Sequence, residues 1–493
     1  MIRRYIIILL TGMSLLNTSC NKNEYLNPLP STSTLDKDAF ANADRILNQV
    51  RGIYGLVKSG NLLGGRFLIY NDVRGDNFIN STNNAVTALQ TWNFTASNNA
   101  QEVTGAWAAG YLAINDINLF IEGMGTTGTA VVGTAVATNY IAEAKFLRAL
   151  CYYELLQLYA RPYWDGNGSK PGLPLRLTGN KAPGDYKLAR STVAEIYAQV
   201  LKDLDEAEAG VPVTYSTALL NTTRAHRNTV IALKTRVYLS MQQYDKVITE
   251  ANKIVNATAP FAAASGVANT LQADITKVFA NPFTTTESIF SLPFQTGADV
   301  PGTQNQLGYY YGFAVNGLPV AGSNGEFYLN NAGVIADSSW KSGTDKRRTF
   351  VVLHPTNGRR YLIKYTAGNP FPDYVPVLRY SEVLLNLAEA RARFTNTVDP
   401  QAVALLNAVR NRSDVATTYT VASFANAAAL IAAILQERNI EFLGEGLRSP
   451  DLLRLGLTLP AKGTVPAIPA TDSRYIWPIS ANELLYNSLM KDN

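Results

Sequence analysis

The chain is poor in the residues that build disulfide frameworks, zinc sites and catalytic triads. It contains only two cysteines, Cys20 and Cys151, and two histidines, His226 and His354, among 493 residues. A framework of several disulfides is therefore excluded, and a zinc site or a Ser-His-Asp triad has to use one of these histidines. The sequence context predicts capping or surface positions for both histidines. Cys151 lies in an apolar helical stretch and is predicted as a small buried hydrophobe.

Long charged runs and phosphate-loop motifs are also missing. The chain has 43 basic and 38 acidic residues and no basic run, so we expect no nucleic-acid partner. No G-x-S-x-G or phosphate-loop motif occurs. The loop DGNGSKPG begins like a calcium loop, but Lys170 and Arg176 replace the glycine and the glutamate that such a loop requires. We predict no enzyme activity, no bound metal and no cofactor.

The N-terminus has the pattern of an export signal. Two arginines precede the apolar run YIIILL, and small residues precede Cys20. This pattern predicts a signal peptide over residues 1–19, too short and interrupted for a transmembrane helix. A cysteine at the cleavage point indicates a lipoprotein anchored through that thiol, although Asn17 stands where leucine is usual. The alternative is an ordinary cleaved signal with an incidental cysteine.

The rest of the chain is predicted to be mainly α-helical. Residues 20–33 form a lipidated N-terminus and linker, and residues 34–493 are predicted as one unit. A loop-rich lobe with short β-like runs is expected at about 60–98 and 256–376, where Pro, Gly, Asn and aromatic residues dominate. Apolar residues recur at helical spacing in the remaining segments, at about 35–58, 100–122, 139–160, 192–257, 377–412 and 424–446.

Helix-start signals and one hairpin pattern refine this prediction. Thr192 with Glu195 predicts a capping box, and Asp399-Pro400 predicts an N-cap followed by proline at the first helical position. Residues 225–255 resemble a tetratricopeptide (TPR) hairpin, in which small and large residues stack paired helices. The predicted fold is therefore a TPR-like scaffold of helical hairpins that supports an irregular lobe.

Four ordered segments resemble the SusD/RagB family of outer-membrane lipoproteins from Bacteroidota. The similarity extends from Cys20 to the C-terminus, with departures at Asn17, at Ser480 and in the tail KDN. The segments are AEAKFLRALCYYELLQLYARPY (142–163), VLRYSEVLLNLAEARAR (377–393), ERNIEFLGEGLRSPDLLRLG (437–456) and YIWPISANELLYN (475–487).

The resemblance implies a location and a partner. Family members sit on the outer face of the outer membrane and cap a TonB-dependent β-barrel transporter of the SusC type. They capture oligosaccharides, or peptides in some branches, and deliver them without breaking a bond. Lipidation of Cys20 would then tether a binding lid beside its transporter.

Sugar recognition combines exposed aromatic rings with planar polar groups. Two stretches of the predicted lobe, 70–94 and 309–340, offer both. Because side chains alternate along a strand, at least one of three successive tyrosines should be exposed. Trp107, Trp164 and Trp477 are expected in packing roles. The candidate ligand residues are Asp72, Arg74, Asn77, Trp92 and Asn93 from the first stretch, and Tyr309, Tyr310, Tyr311 and Trp340 from the second. The alternative for Trp92 is a position in the core, and the alternative for Asp72, Arg74 and Asn77 is a structural turn.

Three other functions remain as alternatives. A carboxylate pair such as Glu437 and Glu441, one helical turn apart, is what glycoside hydrolysis needs, but nearby arginines favour structural ion pairs. A peptide-binding relative on the same fold would use exposed strand edges. A purely structural scaffold for the transporter would lack an exposed aromatic platform.

Overall fold

A scaffold of helices surrounds one large apolar core. The computed structural model describes residues 38–295, 299–313, 323, 325–340 and 343–493. The predicted signal peptide, Cys20 and the linker lie outside these residues. Within the described ranges, none of the helices combines the length and apolar character that a bilayer crossing demands. The α-helices in chain order are α1 Ala43–Val57, α2 Arg66–Val73, α3 Leu89–Trp92, α4 Gln101–Gly123, α5 Thr129–Val132, α6 Thr134–Tyr159, α7 Val193–Gly210, α8 Ala218–Thr223, α9 Arg227–Ser240, α10 Tyr244–Ala251, α11 Leu307–Tyr311, α12 Tyr380–Thr395, α13 Pro400–Ser413, α14 Ala427–Glu441, α15 Arg448–Arg454 and α16 Ala481–Tyr486.

Helix α6 is the buried centre of the scaffold. Nearly every side chain from Ala142 to Tyr159 is buried, and the helix packs against α4 and α7. Because apolar residues lie on all its faces, this helix is stable only when neighbours cover it on every side. Cys151 is fully buried here, and burial raises the pKa of its thiol to about 12. The prediction of a small buried hydrophobe is confirmed.

The predicted helix starts are present. The Thr192 hydroxyl accepts a hydrogen bond from the Glu195 N–H, and the Glu195 carboxylate accepts one from the Thr192 N–H, which completes the capping box of α7. Asp399 caps α13 through the Ala402 N–H at 2.8 Å, ahead of proline at the first helical position. His226 occupies the N-cap position of α9, but it is buried rather than at the surface.

Helical hairpins form the TPR-like part of the fold. Helices α9 and α10 pack as one antiparallel pair, α12 and α13 as another, and α12 also contacts α9, α10 and α14. The small side chain of Ala232 is buried in α9, and Tyr244 begins α10. Asn386 of α12 donates a hydrogen bond to the Thr235 hydroxyl of α9 at 3.1 Å and so joins the two hairpins.

Short antiparallel ladders cross the loop-rich lobe. Strands β1 and β3 place Ile79 opposite Tyr328, and β4 and β5 place Val352 opposite Tyr361. The ladder of β2 and β6 is fully buried and carries an irregular register. The strands are β1 Phe78–Asn80, β2 Ser288–Leu292, β3 Phe327–Leu329, β4 Val351–Leu353, β5 Arg360–Leu362 and β6 Val375–Arg379.

A network of buried ion pairs joins the lobe to the helices, and we call it the charged core. Arg379, the last residue of β6, donates to Glu287 and to Glu445. Arg412 of α13 and Arg347 both donate to Glu441 of α14. Buried charges are tolerated in a protein only when each has partners, and here every carboxylate has at least one arginine. The charged core consists of Glu287, Arg347, Arg379, Arg412, Glu441 and Glu445.

Three local predictions were wrong. Residues 123–138 fall between the predicted helical segments 100–122 and 139–160 but are themselves mostly helical, because their glycines make room for the Phe40 ring rather than break the chain. A Cβ atom on Gly123 would lie 2.1 Å from that ring. The start of the 377–412 segment is strand β6, which is buried against β2. The three successive tyrosines, 309–311, were expected in a strand, but they belong to helix α11.

Candidate functional site

The two stretches predicted to bind a ligand do meet in the structure. Strand β1 belongs to the first stretch and β3 to the second, and the two pair directly. Trp92 is only 8% exposed, and its indole N–H donates to the carbonyl oxygen of Phe78 at 2.9 Å. Trp92 therefore lies in the core, where its indole nitrogen holds β1 in place, and ligand contact by this residue stays a prediction.

Asp72 lies under this ladder, where it accepts two hydrogen bonds. Its Oδ2 accepts from the Tyr311 hydroxyl at 3.0 Å and from the Gly446 N–H at 2.9 Å. Burial is the largest influence on this carboxyl and raises its pKa from 3.8 to about 7, although both hydrogen bonds lower it. Asp72 is therefore buried, and its hydrogen bonds link α2 to α11 and to the segment after α14.

Arg74 and Asn77 are also buried and link distant segments by hydrogen bonds. The Arg74 guanidinium donates to the carbonyl oxygen of Tyr475 near the C-terminus. Asn77 donates to the side chain of Asn439 at 2.7 Å and accepts from the Val334 N–H at 3.0 Å. Both side chains connect segments that are far apart in sequence, so the structure assigns them structural contacts.

The aromatic residues of the second stretch are mostly buried. The rings of Tyr310 and Phe327 stack at 6.2 Å between centroids, and Tyr311 stacks on Phe78 at 4.8 Å. Trp340 is buried beneath Arg348, whose guanidinium carbon lies 4.2 Å from the ring centroid. Tyr310, Tyr311 and Trp340 each pack against another side chain, and Tyr309 is the one of the three successive tyrosines that is partly exposed.

Two of the nine candidate residues keep partial exposure, Asn93 and Tyr309. Asn93 follows α3 and accepts hydrogen bonds from the backbone and hydroxyl of Thr95. The Tyr309 hydroxyl accepts from the side chain of Gln304 at 3.3 Å. Ligand contact by the nine residues stays a prediction, and in this conformation only these two have surface to offer.

A group of aromatic rings on and next to strands β3 and β5 is partly exposed, and we call it the aromatic cluster. The Phe313 ring lies 4.7 Å from His354 and 4.7 Å from Tyr361, and Tyr328 lies 6.3 Å from Tyr361. The guanidinium of Arg359 covers Tyr328 at 4.5 Å. Tyr328, His354 and Arg359 are partly exposed, whereas the other two are buried.

The aromatic cluster has the chemistry that a sugar ring requires. Aromatic rings bind the C–H faces of a pyranose, and a planar guanidinium donates to its hydroxyls. Strands β3 and β5 pack against each other and hold Tyr328 and Tyr361 in place. The run RRYLIKY (359–365) lies in the predicted lobe, but its arginine and tyrosine were not among the candidate residues. Their alternation along a strand was the signal that could have identified them.

The carboxylate pair that suggested hydrolysis is fully engaged in ion pairs. Glu437 contacts Arg347 and Arg410, and three arginines surround Glu441. Burial raises the pKa of Glu441, but Arg412, Arg379 and Arg347 hold it well below its usual range. A general acid needs a raised pKa instead. The structural interpretation of this pair is supported.

Clusters of metal-binding side chains are absent from the part of the chain that the structure describes. No three His, Cys, Asp or Glu side chains come together there in an arrangement that could hold a metal ion. His226 is isolated in the core, where burial lowers its pKa to about 4. His354 belongs to the aromatic cluster, and its Nδ1 lies 3.2 Å from the Thr356 hydroxyl.

Two family descriptions match separate parts of the chain. Residues 24–239 match the SusD-like family described as "Starch-binding associating with outer membrane", and residues 364–493 match the SusD family. No curated protein matches the chain.

Solved structures match nearly the whole chain. A SusD superfamily protein from Bacteroides fragilis is 32% identical, with 92% of this chain and 100% of that chain covered, and has a TM-score of 0.80. A SusD superfamily protein from Bacteroides thetaiotaomicron is 22% identical over 92% and 99% of the two chains, with a TM-score of 0.79. A laminarin-binding SusD-like protein is 19% identical over 92% and 99%, with a TM-score of 0.70. The last two similarities concern the fold alone.

Proposed function

The chain belongs to the SusD/RagB family, and from this premise we propose that it is a cell-surface lipoprotein that captures oligosaccharides. It delivers them to a TonB-dependent transporter of the SusC type and catalyses no reaction itself. The single observation that carries sugar binding is the aromatic cluster, in which Tyr328 and His354 are partly exposed beside Arg359. A structural neighbour described as laminarin-binding supports the same class of ligand.

The location and the absence of catalysis are part of this proposal. A lipid on Cys20 would hold the chain at the outer membrane, and the family description associates its members with that membrane. Glu437 and Glu441, the pair considered for hydrolysis, are bound by arginines and buried. Binding followed by release to a transporter needs neither carboxylate.

Isothermal titration of the chain from residue 21 onward, which retains every described residue, tests the sugar proposal. The titrants are a panel of plant, algal and host oligosaccharides and a set of mixed peptides. We expect binding to at least one oligosaccharide, and an affinity about tenfold lower in Tyr328→Ala, equal to a loss of about 1.4 kcal/mol. Tyr486→Ala is the matched control, because Tyr486 is 77% exposed and lies on the C-terminal helix α16.

The outcomes separate the alternatives that the sequence left open. Binding to peptides alone would place this chain on the peptide-binding side of the family. No binding by the isolated chain, together with co-purification of a β-barrel protein from detergent-solubilised membranes, would favour a structural role. Sugar binding that survives Tyr328→Ala unchanged would move the site away from the aromatic cluster.

A further inference from the structure

A hollow beside the aromatic cluster is lined by two arginines that have no acidic partner. The hollow has a volume of about 410 Å³, which is within the range of ligand pockets. We call it the arginine hollow. Within the described part of the chain, no carboxylate oxygen lies within 4.0 Å of a side-chain nitrogen of Arg348 or Arg360. Its lining residues are Asn331, Ile335, Ala336, Arg348 and Arg360.

The neighbouring residue, Arg347, has different partners. Arg347 is buried and pairs with Asp345, Glu437 and Glu441. The hydrogen bonds of Arg348, the next residue, go to neutral groups instead. It donates to the carbonyl oxygens of Trp340 and Ile335 while its guanidinium covers the Trp340 ring.

These contacts fix Arg348 in position before any ligand arrives. The stacked ring and the two carbonyl oxygens restrict the rotation of the side chain, so little conformational entropy is left to lose on binding. Arg360 is exposed, and its guanidinium lies 3.3 Å from the amide oxygen of Asn331. The hollow therefore presents two oriented guanidinium groups and an amide next to apolar side chains.

The electrostatics of the hollow favour an anion. Burial is the largest influence on Arg348 and lowers its pKa, and Arg360 lowers it further, while Asp345 and Asp337 raise it. Both acids have other partners, since Asp345 pairs with Arg347 and Asp337 accepts from the backbone N–H of Ser339. An anion bound between the two guanidinium groups would relieve their mutual repulsion.

We propose that the arginine hollow is a subsite for an anionic group of the captured saccharide, either the carboxylate of a uronic acid or a sulfate ester. This inference rests on the proposed sugar-binding function and narrows the ligand to acidic polysaccharide fragments. Arg359 of the aromatic cluster and Arg360 of the hollow are consecutive residues where β5 begins. The acidic group of the saccharide binds the guanidinium pair of Arg348 and Arg360.

Titration with matched ligand pairs tests this proposal in the chain from residue 21 onward. The pairs are a uronic-acid oligosaccharide with its carboxyl-reduced form, and a sulfated oligosaccharide with its desulfated form. We expect the acidic member of one pair to bind at least about tenfold more tightly, and its advantage to shrink as salt rises. The pair that shows this preference identifies the carboxylate or the sulfate as the group recognised.

Variants assign the preference to the hollow. Arg360→Gln should remove most of the advantage that the acidic ligand has over its neutral form. Arg360 is exposed, so this variant should fold normally. Arg348→Lys keeps the charge but loses the planar group, and we expect an intermediate affinity. Arg51→Gln is the matched control, because Arg51 is an exposed arginine on α1 whose guanidinium donates to the side chain of Asn48.

Several outcomes would overturn the inference without affecting the proposed function. Neutral oligosaccharides that bind as tightly as their acidic forms would do so, as would an acidic preference that Arg360→Gln and Arg51→Gln reduce equally. A preference for acidic peptides over all saccharides would overturn the saccharide assignment. If no saccharide of either charge binds, the proposed function itself has failed.

Discussion

The Tyr311 hydroxyl donates a hydrogen bond to Oδ2 of Asp72 at 3.0 Å, across 239 positions of the chain. Both residues lie in stretches that the sequence predicted as a ligand face. The structure joins them to each other beneath that face, with the Gly446 N–H as a third member at 2.9 Å. These predicted ligand residues therefore form buried contacts next to the β1–β3 ladder, which carries Tyr328 of the aromatic cluster.

Asp72→Asn should reduce the pH dependence of stability. The pKa of Asp72 is about 7 in the folded protein, raised mainly by burial from 3.8. Its stabilising contribution is full below about pH 4 and is lost as the pH rises to about 7, because the unfolded chain binds fewer protons there. When the pH rises from 5 to 8, we expect the free energy of unfolding to fall by about 2–3 kcal/mol less in the variant than in the parent protein.

Urea denaturation at the two pH values measures this change. Asp44→Asn is the control, since Asp44 is exposed in the first turn of α1. A decrease that is as large in Asp72→Asn as in the parent protein would show that Asp72 does not hold the proton.

Glu441→Gln should destabilise the protein strongly. The substitution removes the negative charge that faces Arg347, Arg379 and Arg412 in the charged core. Breaking a buried ion pair costs about 3–5 kcal/mol, because the remaining charge is left without a partner. These arginines hold the pKa of Glu441 well below its usual range, so its contribution is present above the unfolded pKa and is lost in acid.

The matched control for this substitution is Glu206→Gln. Glu206 pairs with Lys202 and Lys145 at the surface, where an ion pair contributes less than about 1 kcal/mol. Thermal and urea denaturation compare the two variants at neutral pH. Equal losses of stability would contradict a special role for the charged core.

Substitution of Trp92 separates a structural role from ligand contact. Trp92→Ala should lower the free energy of unfolding by about 3–5 kcal/mol through lost packing. Trp92→Phe keeps a ring but leaves the Phe78 carbonyl without its donor, at a cost of about 1–3 kcal/mol. Stability is measured beside oligosaccharide affinity. An alanine variant with parental stability and no affinity would instead mark Trp92 as a contact residue.

Gly446→Ala should be more harmful than the same change at Gly358. Both glycines have a left-handed backbone, with φ of +76° and +69°, so each substitution strains the backbone by about 1–2 kcal/mol. A Cβ on Gly446 would also lie 2.8 Å from the Cα of Leu68, whereas Gly358 faces open space. We expect the free energy of unfolding to differ by at least about 1 kcal/mol between the variants, measured in urea. Equal values would show that α2 moves aside freely.

The sequence was sufficient to predict the helical scaffold because its signals are local. Apolar periodicity placed the long helices, and the caps at Thr192 and Asp399 marked their starts within a residue. The four family segments predicted the fold that the similar structures show. Such signals involve residues three or four positions apart and do not depend on distant contacts.

The exposure of individual aromatic residues could not be predicted in the same way. Trp92 and Tyr311 are buried because of partners far along the chain, and no local pattern shows those partners. The same holds for Glu441, whose arginines come from three other elements rather than from its own helix. Arg348 and Arg360 were missed because the sequence does not show which arginines have an acidic partner in the folded protein.

The charged core has a consequence for how such a protein can diverge. Its ion pairs join residues of the lobe to the helices, and Arg347 takes part in them. The next residue, Arg348, instead covers the Trp340 ring and lines the arginine hollow. Mutations on the outer side can therefore accumulate without disturbing the ion pairs that hold the fold. Descendants of one ancestral chain can exchange the sugar they recognise residue by residue and inherit the same scaffold.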